Sequence, residues 1–251
     1  MKIFRPVFGA AFVCAMLAGA SVSDANLILN GDFSQTTAGG AVIAQELDTA
    51  SGTSTYLANW ASTGYNFVFL PGTDAAGGAI QGSGKLNLWT SSNGGISNSW
   101  NGQGPTPSLN FIAADPAYNT GPLQQTVNGL ITGRKYALNF QWAAAQQTGF
   151  SGATTEGWQV TLGSQSLSTA TVNNTTQGFV PWMMMTMTFT ATATSEVLSF
   201  LATGGPTGVP PFALLSNVSM NLIPEPASAL LWAAGALGVL IARRRGNKSA
   251  R

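Results

Sequence analysis

Few residues in this sequence are of a type that does chemistry. There is no histidine and a single cysteine, Cys14, which removes the commonest general base, the commonest transition-metal ligand and any intrachain disulfide. Cys14 follows Ala11-Phe12-Val13, an approach too bulky for a lipidated cysteine. Between residues 26 and 223 the charged side chains are Lys85, Arg134 and Lys135 against Asp32, Glu46, Asp48, Asp74, Asp115, Glu156 and Glu196, a net −4. Carboxylates are therefore the acid–base candidates, and a glycosidase pair has to flank its bond at roughly 5–10 Å. Glu46 and Asp48 are close in sequence, but a spacing of two on a strand only puts both on one face. Solvated surface charge is the expectation for all seven, since carboxylates are exposed by default. The same balance offers no basic patch, so no nucleic-acid partner is expected.

Two other patterns bear on binding. Gly82-Ser83-Gly84-Lys85 glances toward a phosphate loop, but Ala79 stands where the first glycine belongs and Leu86 replaces the magnesium-binding hydroxyl, so it is discarded. Trp60 and Trp100 lie among Asn, Ser, Thr and Gly, with Trp89 at a strand end. Their indole faces are candidates for stacking on sugar rings while nearby amides bind hydroxyls, against the plainer alternative of loop packing. Trp142 and Trp158 sit in alternating runs and are expected in the core.

Strands must position these side chains. Tyr136, Leu138, Phe140 and Trp142 alternate with Ala137, Asn139 and Gln141, and Met185, Met187 and Phe189 alternate with threonines, the period of half-buried strands. Strands are expected at 27–30, 66–70, 85–89, 109–113, 134–144, 157–162, 183–190, 197–202 and 217–223. Glycine-rich loops at 72–84, 91–107 and 146–155 separate several of them. The reading is one antiparallel β-sandwich domain over 26–223.

The ends carry a different message. Residues 1–25 combine Lys2 and Arg5, an uncharged apolar stretch at 7–20 and small residues before Ala20 and Ala25, the order of a secretory signal helix cut after Ala25 or Ala20. At the other end Pro224-Glu225-Pro226 precedes an uncharged run at 227–242, then Arg243, Arg244 and Arg245, with Lys248 and Arg251 beyond. As a helix that run spans about 24 Å, somewhat short of a hydrocarbon core of about 30 Å. A transmembrane helix with a cytoplasmic basic tail at 243–251 is expected, leaving the body outside.

The tail, 224–251, resembles the PEP-CTERM sorting signal in the order of its three features. That resemblance implies export through the inner membrane of a Gram-negative bacterium by way of signal peptidase. It also implies that exosortase recognises the tail, that the helix holds the protein in the membrane until processing, and that the product, released or anchored, ends at the cell surface or outside. The body resembles, more loosely, galactose-binding-like jelly rolls and carbohydrate-binding modules. The matching pieces are Asn26-Leu27-Ile28-Leu29-Asn30-Gly31-Asp32-Phe33, Leu123-Gln124-Gln125-Thr126-Val127, Gly133-Arg134-Lys135-Tyr136, and Pro211-Phe212-Ala213-Leu214-Leu215-Ser216-Asn217-Val218. This second resemblance implies a jelly-roll-like sandwich, a non-catalytic role with exopolysaccharide or biofilm matrix, and a structural calcium to which Asp32 is the candidate ligand. A secreted carboxylate-dependent glycan hydrolase and a purely structural surface-layer component are the alternatives.

Overall fold

Two hydrophobic patterns run through the chain, and each builds a different kind of strand. Where apolar and polar residues alternate, as in Tyr136 to Trp142, one face is buried. Where the run is continuously apolar, as in Phe67-Val68-Phe69, Phe111-Ile112-Ala113-Ala114, Trp142-Ala143-Ala144-Ala145 and Phe212-Ala213-Leu214-Leu215, every residue is buried, which requires cover on both faces.

The computed structural model describes residues 26–36, 44–47, 57–71, 75–96 and 100–224. The expected signal helix at 1–25 and the rest of the expected sorting tail beyond Pro224, with Glu225, Pro226, the helix expected at 227–242 and Arg243, Arg244 and Arg245, lie outside the described residues. Among the described residues every regular element is a strand, and no helix is long and apolar enough to cross a membrane.

In chain order the strands are β1 (Gln45–Glu46), β2 (Ala61–Ser62), β3 (Asn66–Phe69), β4 (Ala79–Gln81), β5 (Gly84–Leu86), β6 (Phe111–Ala114), β7 (Leu123–Asn128), β8 (Lys135–Gln146), β9 (Thr154–Leu162), β10 (Gln165–Ser168), β11 (Val172–Asn174), β12 (Val180–Thr190), β13 (Ser195–Gly205) and β14 (Pro211–Leu222). They form an 8-stranded sheet, β12-β8-β14-β6-β3-β1-β4-β5, and a second sheet, β10-β9-β13-β7-β2, with β11 also on β9. The antiparallel expectation holds except at β1 and β4, which meet in parallel at Gln45 and Ile80 after the long connection between them. Residues 27–30 are not a strand. The backbone turns at positive φ at Asn30 (51°) and Phe33 (57°), while the Leu27 N–H donates to Met220 O and the Val218 N–H donates to Gly31 O, both at 2.9 Å.

The main core lies between the sheets. Tyr136, Leu138, Phe140 and Trp142 of β8 face Trp158, Val160 and Leu162 of β9 and Leu198 and Phe200 of β13. Phe200 meets Phe140 edge-on at 5.2 Å and Trp158 at 6.1 Å, the offset geometry that aromatic quadrupoles favour. A second apolar layer covers half of the large sheet's outer face. There Phe67, Phe69, Phe111, Ala143, Ala145, Phe212 and Leu214 pack under Leu86, Leu88 and Trp100, with Phe179 and Trp182 at the rim. This layer explains the continuously apolar runs. The uncovered half of that face carries Asn139, Gln141, Thr186, Asn217 and Ser219, where Thr186 Oγ1 donates to Asn139 Oδ1 (2.6 Å) and Asn217 Nδ2 donates to Gln141 Oε1 (3.0 Å).

Candidate functional site

At one end of the sandwich β6 and β8 finish while β3 and β14 begin, as their pairings Asn66 with Ala114 and Pro211 with Gln146 require. Three connections gather there: 115–121 after β6, 147–153 after β8 and 206–210 before β14. Between them opens a cleft of about 350 Å³, lined by Tyr65, Asp115, Tyr118, Gln147, Phe150 and Pro210 among others. The size suits a small ligand.

Local chemistry fixes the first connection. Asp115 Oδ1 accepts the N–H groups of Ala117 (2.7 Å) and Tyr118 (3.1 Å), an aspartate turn that sets the direction of Tyr118. The Asp115 N–H donates to Tyr65 O (3.1 Å), and the Tyr65 N–H donates to Asn119 O (2.8 Å). Asn66 Nδ2 donates to Thr63 O (2.9 Å) and Gly121 O (3.2 Å). This interlocking needs glycine at two places. Gly64 has φ +87°, and a Cβ on Gly121 would lie 2.2 Å from Thr63 O.

Tyr118 is 64 % exposed and Phe150 38 %, so two of the molecule's large exposed apolar side chains border one cleft. Tyr65 is buried beneath them, edge-on to Tyr118 at 5.1 Å and to Phe67 at 4.7 Å. Burial pushes its hydroxyl up to about 12, with Glu46, Asp115 and Tyr118 adding to the rise and a hydrogen bond with Gln81 opposing it. Asp115 is only 2 % exposed. Its Oδ2 has no hydrogen-bond partner among the described residues. Burial lifts this carboxyl to about 6 against the pull of its two backbone donors.

The expected site residues fall elsewhere. Trp60 and Trp100 are corrected from loop platforms to buried side chains. Trp60 packs on Phe33 at 5.4 Å and Phe200 at 6.4 Å while donating Nε1–H to Asn30 O. Trp100 stacks on Phe179 at 4.2 Å and donates to Gln103 O. Indoles need large apolar cover and a polar partner, and both conditions are met inside. Trp89 is partly exposed and holds the backbone at Phe150, its Nε1–H donating to Phe150 O at 2.9 Å.

The expectation of solvated carboxylates holds for Asp32 and fails for four others, while Asp48 and Asp74 lie outside the described residues. Glu46, Asp115, Glu156 and Glu196 are buried. Short-range donors make this tolerable: Thr154 Oγ1 donates to Glu156 Oε1 at 2.5 Å, and Thr192 donates its N–H (3.2 Å) and hydroxyl to Glu196 Oε1. Burial raises Glu156 to about 8, so it is protonated at neutral pH. Asp32 is exposed, and its Oδ1 serves the N–H and hydroxyl of Ser34 in the same turn. Among the described residues no cluster of three acidic, His or Cys side chains forms. Pro224 is exposed at the end of the described residues.

No family model and no curated protein matches the chain. Among solved structures it is similar to TmCBM61 in complex with beta-1,4-galactotriose, at 13 % identity over 66 % of this chain and 90 % of that one, TM-score 0.35. It is also similar to the CBM22-1 xylan-binding domain from Paenibacillus barcinonensis Xyn10C, at 11 % identity over 81 % and 97 %, TM-score 0.36. A third is the N-terminal cellulose-binding domain from Cellulomonas fimi beta-1,4-glucanase C, at 15 % over 67 % and 91 %, TM-score 0.33. The sandwich architecture of this chain rests on its own strand pairings.

Proposed function

We propose that this is an exported, non-catalytic glycan-binding protein of the bacterial surface or extracellular matrix, and that the cleft at the end of the sandwich is where it binds. One observation carries the reading: Tyr118 and Phe150 present apolar rings beside a buried carboxylate, Asp115, and the Gln147 amide. Sugar rings have apolar faces and hydroxyl edges, and this combination serves both. A hydrolase needs a second carboxylate across the bond, and among the described lining residues Asp115 is the one acidic side chain.

Export rests on the sequence. Residues 1–25 are the address read by signal peptidase, and Pro224, Glu225, Pro226, the 227–242 helix and Arg243 to Arg245 are the sorting signal read by exosortase in a Gram-negative envelope. The exopolysaccharide of the producing cell is the partner that best fits such a location. Two measurements test the proposal. Mass spectrometry of the mature protein is expected to find both termini removed; intact termini would overturn the sorting reading. A glycan array probed with the full chain is expected to give saturable signals on neutral polysaccharides, and uniform failure of folded protein would overturn the binding reading.

A further inference from the structure

Among the described residues strand β12 ends the large sheet and pairs on one side only, with β8. The direction of its free backbone groups follows from its last residue. The Thr190 N–H donates to Gln165 Oε1 (3.0 Å) and its carbonyl accepts from Gln165 Nε2 (2.5 Å), so at Thr190 both groups point away from β8. Its partner Lys135 agrees, since the Lys135 carbonyl accepts from Ile223 N–H on the opposite side. By the two-residue alternation of an antiparallel pair, Thr188, Thr186 and Met184 also present their N–H and C=O outward. None of these meets a backbone or side-chain partner among the described residues.

This edge lacks the usual protection. From Val180 to Thr190 there is no charged residue, and the one proline, Pro181, lies within the register shift between Val180 and Met183. Exposed edges are ordinarily blunted by charge, proline, bulges or shortness. The opposite edge, β5, is a three-residue strand carrying Lys85. On β12 the open window is bounded by the irregularity at 180–183 on one side and by Gln165, which acts as a plug, on the other. Its centre is Thr186. Met183 and Met185 lie half-buried along its inner flank, and Met184 is 66 % exposed on the outer one.

We propose that β12 is a self-association edge whose occupant is β12 of a second copy, paired antiparallel about a two-fold axis at Thr186. In that register Thr186 faces its symmetry mate and Met184 faces Thr188, so each outward N–H meets an outward C=O. The absence of charge removes the repulsion that would oppose pairing of identical strands, and the methionines adapt to the seam. The two large sheets become continuous across the dimer.

The test is sedimentation of the full chain over a concentration series, in a non-ionic detergent that keeps the apolar C-terminal segment in solution. Wild type is expected to form a dimer. Thr186→Lys places like charges at the axis, and Thr186→Pro removes an outward donor without touching the β8 ladder; each is expected to weaken dimerisation by about tenfold or more. Thr126→Lys, on the exposed face of β7, is the control and is expected to dimerise as wild type. In a Cys14→Ser background, Thr186→Cys is expected to cross-link between copies under mild oxidation and Thr126→Cys is not. A monomer at all concentrations, or dimerisation undiminished in Thr186→Lys, overturns the proposal. Should Thr186→Pro fail to fold, Thr186→Lys still decides, because its side chain projects from the exposed outer face.

Discussion

Asp115→Asn separates binding from stability at a single atom. Asparagine keeps Oδ1 as acceptor for the Ala117 and Tyr118 N–H groups but removes the buried charge. The carboxyl is lifted from 3.8 to about 6, first by burial, and two units correspond to about 3 kcal/mol. The sign follows from which state holds the proton. Above pH 6 the group is ionised in both states, and the folded state carries the full penalty. As pH falls through the folded value the native protein takes up a proton that the unfolded chain does not, and below about pH 4 the penalty is gone. The substitution is therefore expected to raise the melting temperature at pH 8 by roughly 5–10 °C, with no gain at pH 4, in calorimetric scans at the two pH values. Glycan affinity is expected to fall in the same variant. A gain of equal size at both pH values, or a loss at pH 8, would refute the reasoning that burial of this charge dominates.

Glu156→Gln is expected to behave likewise over a higher window: its carboxyl rises from 4.5 to about 8 through burial, so urea denaturation at pH 9 should show a gain of about 3–5 kcal/mol that vanishes at pH 4. Gly31→Ala puts a Cβ 2.0 Å from Val218 O and is expected to lose about 1–3 kcal/mol by forcing 26–31 away from β14, with faster amide exchange at Leu27 and Val218. Tyr136→Phe leaves the Ile131 N–H, which donates to Tyr136 Oη at 2.9 Å, without its partner; a loss of about 1 kcal/mol in chemical denaturation is expected.

Periodicity reveals the inter-sheet core because burial on one face leaves a two-residue signature. Tyr136 to Trp142 and Met185 to Phe189 place their large side chains inward as that signature requires. The outer apolar layer leaves no such mark. Phe67 and Phe69, Phe111 and Ala113, and Phe212 and Leu214 belong to runs apolar on both faces, and the loops that cover them look merely polar and glycine-rich. Trp60 and Trp100 are misplaced for this reason, since their polar neighbours conceal the aromatic partners Phe33 and Phe179. The cleft was half legible: the 146–155 loop stands out in the sequence and holds Phe150. Asp115 stands in the sequence as one more carboxylate expected in solvent, because its burial against Tyr65 depends on a contact between segments 50 residues apart in sequence.

The most direct test is titration calorimetry of the full chain against the polysaccharide that gives the strongest array signal, comparing wild type with Tyr118→Ala and Phe150→Ala together. Both side chains are substantially exposed, so the melting temperature is expected to hold while affinity falls by about tenfold or more. Unchanged affinity in the folded double variant would place the glycan elsewhere and contradict the assignment of the cleft.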